Sequence, residues 1–88
     1  MLLSEIKPTE FAKQLEENVM KLQFEKLDGV IRDMIATRRM DCIPEEHLPK
    51  AWNPVSDEDS NVAVFDMRVC GWRSVRPSSL KSMEVFNG

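Results

Sequence analysis

The chain has 88 residues, 42% of them hydrophobic and 31% charged, with twelve Lys or Arg, fifteen Asp or Glu and a formal net charge of -3. That length fits one domain near the lower limit of what folds without staples, and the composition excludes wholesale disorder. The acidic balance excludes a protein that coats nucleic acid through bulk charge, because phosphate binding rests on a basic surface; a local basic patch stays open.

Residues 1–18 read as a helical segment packed on the rest. Pro8-Thr9-Glu10 ahead of Phe11, Ala12 and Leu15 predicts a short helix ending near Asn18. Proline suits the first turn, Glu10 favours the positive end of the dipole, and Phe11 and Leu15 share one face at i, i+4. So short a stripe must lie on something else, such as the open end of a barrel.

From Val19 the period changes. Met20, Leu22 and Phe24 alternate with Lys21, Gln23 and Glu25, the period-two pattern of a half-buried strand. Leu27-Asp28-Gly29 then supplies a hairpin turn. A two-residue Asp28-Gly29 turn would oppose Phe24 to Asp33 and bury a carboxylate. A three-residue loop with Gly29 left-handed opposes Leu22 to Met34 and Met20 to Ala36, and is the register expected. Residues 30–37 form the second strand, apolar on both faces at Ile31, Met34 and Ile35, so its outer face calls for a cover such as the helix.

Ile43 to Pro49 reads as a proline-bracketed helical turn, and residues 53–60 as a solvated, mobile loop with Asp57, Glu58 and Asp59. Val62–Met67 is a third strand, Gly71–Arg76 a fourth, Pro77-Ser78-Ser79 a tight turn, and Leu80–Phe86 a fifth strand. The fold class is therefore mainly β with a short N-terminal helix, and residues 19–88 make a five-stranded antiparallel barrel of the SH3 or Sm-like kind. Phe24, Met34, Phe65 and Val85 are expected in its core.

Chemistry for catalysis is sparse. His47 beside Glu45 and Glu46 reads as a solvated residue, Cys42 five residues away has no nucleophile–base geometry, and no second group orients a triad. Glycines at 29, 71 and 88 make no phosphate loop. The run 57–59 lacks the spacer residues of a metal loop. Cys42 and Cys70 with one histidine complete no zinc set, and they read as buried thiols of a reducing cytoplasm. No apolar run approaches the roughly 20 residues of a membrane span, and Met1–Glu5 shows no signal-peptide pattern. No catalytic residue, cofactor or metal is expected.

Two stretches carry a resemblance. "FEKLDGVIRDM" leading to "IPEEHLPK", and "VFDMRVCGWRSVRPSSL", resemble the small tailed-phage proteins of the WYL-like family, which have a Sm-like SH3-type β-barrel. The similarity spans residues 19–86, and Val75 stands where the family has an aromatic. It implies the barrel and a phage origin, and hence a host cytoplasm.

The arginines are the remaining candidates. Arg38 and Arg39 end the second strand, Arg68 follows the third, and Arg73 and Arg76 lie on the fourth with Trp72. Strand ends converge at barrel rims, so these six residues are the expected partner-binding set. The bland alternatives are that the arginines pair with Asp33, Asp41, Asp66 and the loop acids, and that Trp72 anchors the barrel under the helix. Within 72–76, Val75 is expected to point into the core, drawing Arg73 to the inner face and leaving Arg76 outside with Trp72. The expected function is a small non-enzymatic binding module, an early, host-takeover or regulatory protein whose partner is a host protein. The alternative is a Sm-like RNA-, DNA- or nucleotide-binding protein using the arginine rim.

Overall fold

The computed structural model describes residues 5–51 and 54–87, so the readings made of Met1–Ser4, Asn53 and Gly88 lie outside the described residues. Helix α1 runs Pro8–Glu17 with proline in its first turn, and it buries Phe11, Ala12 and Leu15. Its N-cap residue, Lys7, makes no side-chain cap. Asp57 supplies one from the distant loop, accepting hydrogen bonds from the Thr9 amide at 3.2 Å and the Thr9 hydroxyl at 2.6 Å. At the other end the Arg38 amide donates to the Leu15 carbonyl at 2.8 Å. The Thr37 hydroxyl lies 3.1 Å from the carbonyl oxygens of both Leu15 and Asn18. These contacts satisfy backbone groups that every helix end leaves without partners.

Five strands follow: β1 Met20–Glu25, β2 Ile31–Thr37, β3 Val62–Asp66, β4 Gly71–Val75 and β5 Leu80–Val85. They form one antiparallel sheet in the order β4-β3-β2-β1-β5. The first hairpin has the expected register, Leu22 opposite Met34 and Met20 opposite Ala36. Its loop is Leu27-Asp28-Gly29, closed by the Lys26 amide on the Val30 carbonyl at 2.8 Å. Gly29 has φ +85, with open space where a Cβ would stand, so backbone conformation alone selects glycine.

Strand β2 divides its pairing. It pairs with β1 from Ile31 to Ala36, but its ladder with β3 holds only Ala36–Asp66 and Thr37–Phe65. Most of β2 is therefore left without a partner on its β3 side. The sheet does not close into the expected complete barrel, since β4 and β5 occupy opposite edges. The 3₁₀ turn Pro77–Ser79 separates them, and β5 turns away to pair with β1.

The core gathers Phe11 and Leu15 from α1 with Met20, Leu22, Met34, Val62, Val64 and Val75 from the sheet. Met34 and Phe65 are buried as expected. Val85 is not: it is 48% exposed at the end of edge strand β5, which pairs with β1 on one side. Phe24 is half-buried, because it lines an open groove. The helix sends its apolar stripe into the core and covers the outer face of β2 only at its end: Thr37 is buried against Leu15, Ile35 half-buried and Ile31 46% exposed. The cysteines also differ from expectation: Cys42 is half-buried and Cys70 exposed, both free thiols. Cys70 occupies the β3–β4 turn with φ +52, an outward-facing turn position that no core burial reaches.

Candidate functional site

Cross-strand partners share a face of the sheet, so the registers decide what looks inward. Along β1 and β2 the inner pairs are Met20–Ala36, Leu22–Met34 and Phe24–Arg32. Along β3 and β4 they are Val62–Val75 and Val64–Arg73. Val75 thus points into the core, and Arg73 joins it on the inner face, as the alternation of 72–76 predicts.

At Phe24 and Arg32 the covered core gives way to an open groove of about 720 Å3. Phe24, Leu27 and Trp72 contribute its apolar surface, Met34 and Val75 lie almost wholly buried at its floor, and no residue of α1 lines it. Its charged residues are Lys26, Arg32, Arg73 and Arg76 against Glu25 and Asp28. Lys26 lies 3.9 Å from Asp28, and Arg73 Nε lies 3.3 Å from Asp66 Oδ2. Among the described residues no carboxylate stands within ion-pair distance of Arg32 or Arg76.

Asp66 fixes the orientation of Arg73. Its carboxylate is buried, and its other oxygen accepts the amides of Arg68 at 2.9 Å and Val69 at 3.3 Å, folding the turn into β4. A buried carboxylate with both oxygens engaged is compensated for its desolvation. The Arg73 side chain remains 42% exposed.

Trp72 occupies the opposite face of β4. Its indole N–H donates to the His47 carbonyl at 2.7 Å, and its ring meets Phe65 edge-on at 5.7 Å and 77°. His47 lies against Phe65 at 5.5 Å. Trp72 is thus an anchor, but beneath the 3₁₀ turn Glu45–His47 rather than beneath α1, and it also borders the groove.

The six residues singled out by sequence do not share one rim. Trp72, Arg73 and Arg76 meet at the groove; Arg38, Arg39 and Arg68 do not line it. Arg38 is 5% exposed, donating to the Ala63 carbonyl at 2.6 Å and facing Glu16 at 3.4 Å, so it ties α1 and β2 to β3. Arg39 forms a two-pronged pair with Asp41 at 2.7 and 3.1 Å. The Arg39 hydrogen bond holds the Asp41 carboxyl below the usual range. Pairing of Arg39 with Asp41 and of Arg73 with Asp66 matches the bland sequence alternative. Arg32 was missed by sequence reasoning, although the Leu22–Met34 register already places it opposite Phe24 on the inner face.

His47 Nε2 is 3.9 Å from Glu46 Oε1; Glu46 is exposed, whereas His47, expected to be solvated, is half-buried because its ring packs on Phe65, and no cluster of three metal-ligating side chains exists among the described residues. No described helix is long and apolar enough to cross a membrane. Compared with known proteins, residues 9–81 match the family model described as WYL_2, Sm-like SH3 beta-barrel fold. No curated protein and no solved structure matches the chain significantly.

Proposed function

The chain belongs to the WYL_2 family of Sm-like SH3 β-barrel folds, and from that premise we propose that it is a non-enzymatic binding module holding a protein segment in its groove. The supporting observation is the pair Arg32 and Arg76, two guanidinium groups without a carboxylate at ion-pair distance among the described residues, beside the apolar surface of Phe24, Leu27 and Trp72. Guanidinium forks take carboxylates bidentately, and the groove's volume lies in the range of ligand sites. In its fuller form the proposal is a phage-encoded early or regulatory protein that binds a host protein in the host cytoplasm. The same arginines suit the phosphates of RNA, DNA or a nucleotide. Glu25 and Asp28 in the lining and the net charge of -3 weigh against a long phosphate backbone.

The test is affinity capture from bacterial lysate, with and without nuclease, by the natural chain and by an Arg32→Ala/Arg76→Ala variant. The expected result is a protein captured in both arms and lost with the variant, whose melting temperature is retained. Capture that disappears with nuclease favours the nucleic-acid reading. Capture unchanged by the double substitution overturns the groove. Turnover of any substrate that is lost on His47→Ala or Cys42→Ala overturns the non-enzymatic reading.

A further inference from the structure

One wall of the groove is a terminal strand of the sheet, β4. Five consecutive residues, Trp72 to Arg76, line the groove. Side chains of a strand alternate between faces, so a groove touched by five in a row is met along the strand's edge. That edge is open: β4 pairs with β3 alone, and no loop backbone hydrogen bond reaches its other side among the described residues. Across the groove stand Arg32 and Met34, on the part of β2 that β3 leaves unpaired.

Resting on the reading of this groove as a protein-binding site, we infer that its occupant is an extended acidic peptide that adds to β4 as a sixth strand. An unpaired edge offers every second amide and carbonyl to an incoming chain, which is how strand addition obtains its affinity, while side-chain pockets give specificity. The five residues of β4 present an edge about 17 Å long, enough for a segment of the same length. Side chains on one face of that segment meet Phe24, above the buried floor of Met34 and Val75, and are apolar. A carboxylate leaving the segment beside Arg32 or Arg76 completes the charge complement. Leu27, 89% exposed at the groove's border, gives a second apolar contact. A phosphate backbone carries acceptors but no donors, so it leaves the carbonyls of a strand edge without partners. A peptide with one or two acids also avoids Glu25 and Asp28 more easily than a continuous anionic backbone does.

The experiment is selection of a random seven-residue peptide library on the immobilised full chain. Enrichment of sequences with Asp or Glu beside β-branched residues and without proline is expected. A selected peptide is then titrated against the natural chain, with Arg76→Ala, Arg32→Ala and a series of singly N-methylated peptides as comparisons. Each arginine substitution is expected to weaken binding about tenfold or more, and N-methylation is expected to do so at alternate positions only. Loss on arginine substitution with no sensitivity to N-methylation at any position overturns strand addition and leaves the groove reading standing. Tight binding indifferent to both arginines overturns the groove reading itself. Enrichment without acidic residues, or no enrichment, overturns the acidic-strand inference. Displacement of the peptide by an oligonucleotide at equal concentration assigns the edge to nucleic acid instead.

Discussion

The inner face of β1 and β2 meets two different environments along its length. At Met20, Leu22, Met34 and Ala36 it is covered, with Phe11 and Leu15 of α1 packed against it and each residue at most 3% exposed. Two residues further along, at Phe24 and Arg32, the same face is left half-buried in the groove. Alternation alone put all six positions on one side. What separates them is whether another element reaches that part of the sheet. Where α1 reaches, apolar residues are sealed; where it does not, the chain places arginines, whose stems pack while their heads stay in water.

Substitutions that break the covered region should have the largest effect. Phe11→Ala removes a fully buried ring and is expected to cost about 3–5 kcal/mol in urea unfolding, with Leu22→Ala close behind at about 2–5 kcal/mol. At this chain length either loss is a large share of total stability. Phe24→Ala, on the same face but in the groove, should cost clearly less. Equal costs would show that the groove is sealed in solution, and the contrast would collapse.

Asp66→Ala comes next. It strips two amides of the β3–β4 turn and the partner of Arg73 at once, with an expected loss of about 1–3 kcal/mol in the same measurement. Trp72→Phe keeps the edge contact with Phe65 but deletes the hydrogen bond to the His47 carbonyl, and about 0.5–1.5 kcal/mol should go with it.

Asp57 tests how firmly the helix is held over the covered end. The bonds from Thr9 keep its carboxyl below the ordinary value, so the tether adds stability above the unfolded carboxylate pKa. That contribution is lost as pH falls through the lower, folded value. Asp57→Asn should lower the melting temperature at neutral pH and narrow its gap to the natural chain in acid. A gap that stays constant with pH would mean the loop does not hold α1 through this charge.

The smallest stability effect belongs to the groove arginine. Arg76→Ala should shift unfolding by less than about 0.5 kcal/mol, as for exposed positions without structural partners. A larger loss would make Arg76 part of the scaffold and move the groove toward the covered region in kind.

Much of this division was legible in the residues. The Leu27-Asp28-Gly29 loop fixed the first register because the alternative buried Asp33, and Val75 fixed the direction of Arg73. Long-range pairings were not legible. Nothing near Asp57 signals that its carboxylate bonds Thr9, 48 positions earlier, and nothing near Arg38 signals that it folds inward to Ala63. Such contacts depend on where elements pack, a quantity that local periodicity does not contain. Arg32 differs, since the hairpin register already implied its place. Barrel closure failed as an expectation for a related reason: strand count says nothing about how much of β2 will pair with β3.

The ladder between β1 and β5 has a consequence in time. Strands β1 and β2 are joined by a three-residue loop and can meet within microseconds, as hairpins do. The pairing of Met20 with Val85 must wait for a loop holding most of the chain to close, and such distant contacts slow folding more than local ones. During synthesis β1 therefore stands with one edge unpaired until Leu80–Val85 has been made. Its own last strand is then the first competitor that any foreign strand at that edge must outrun.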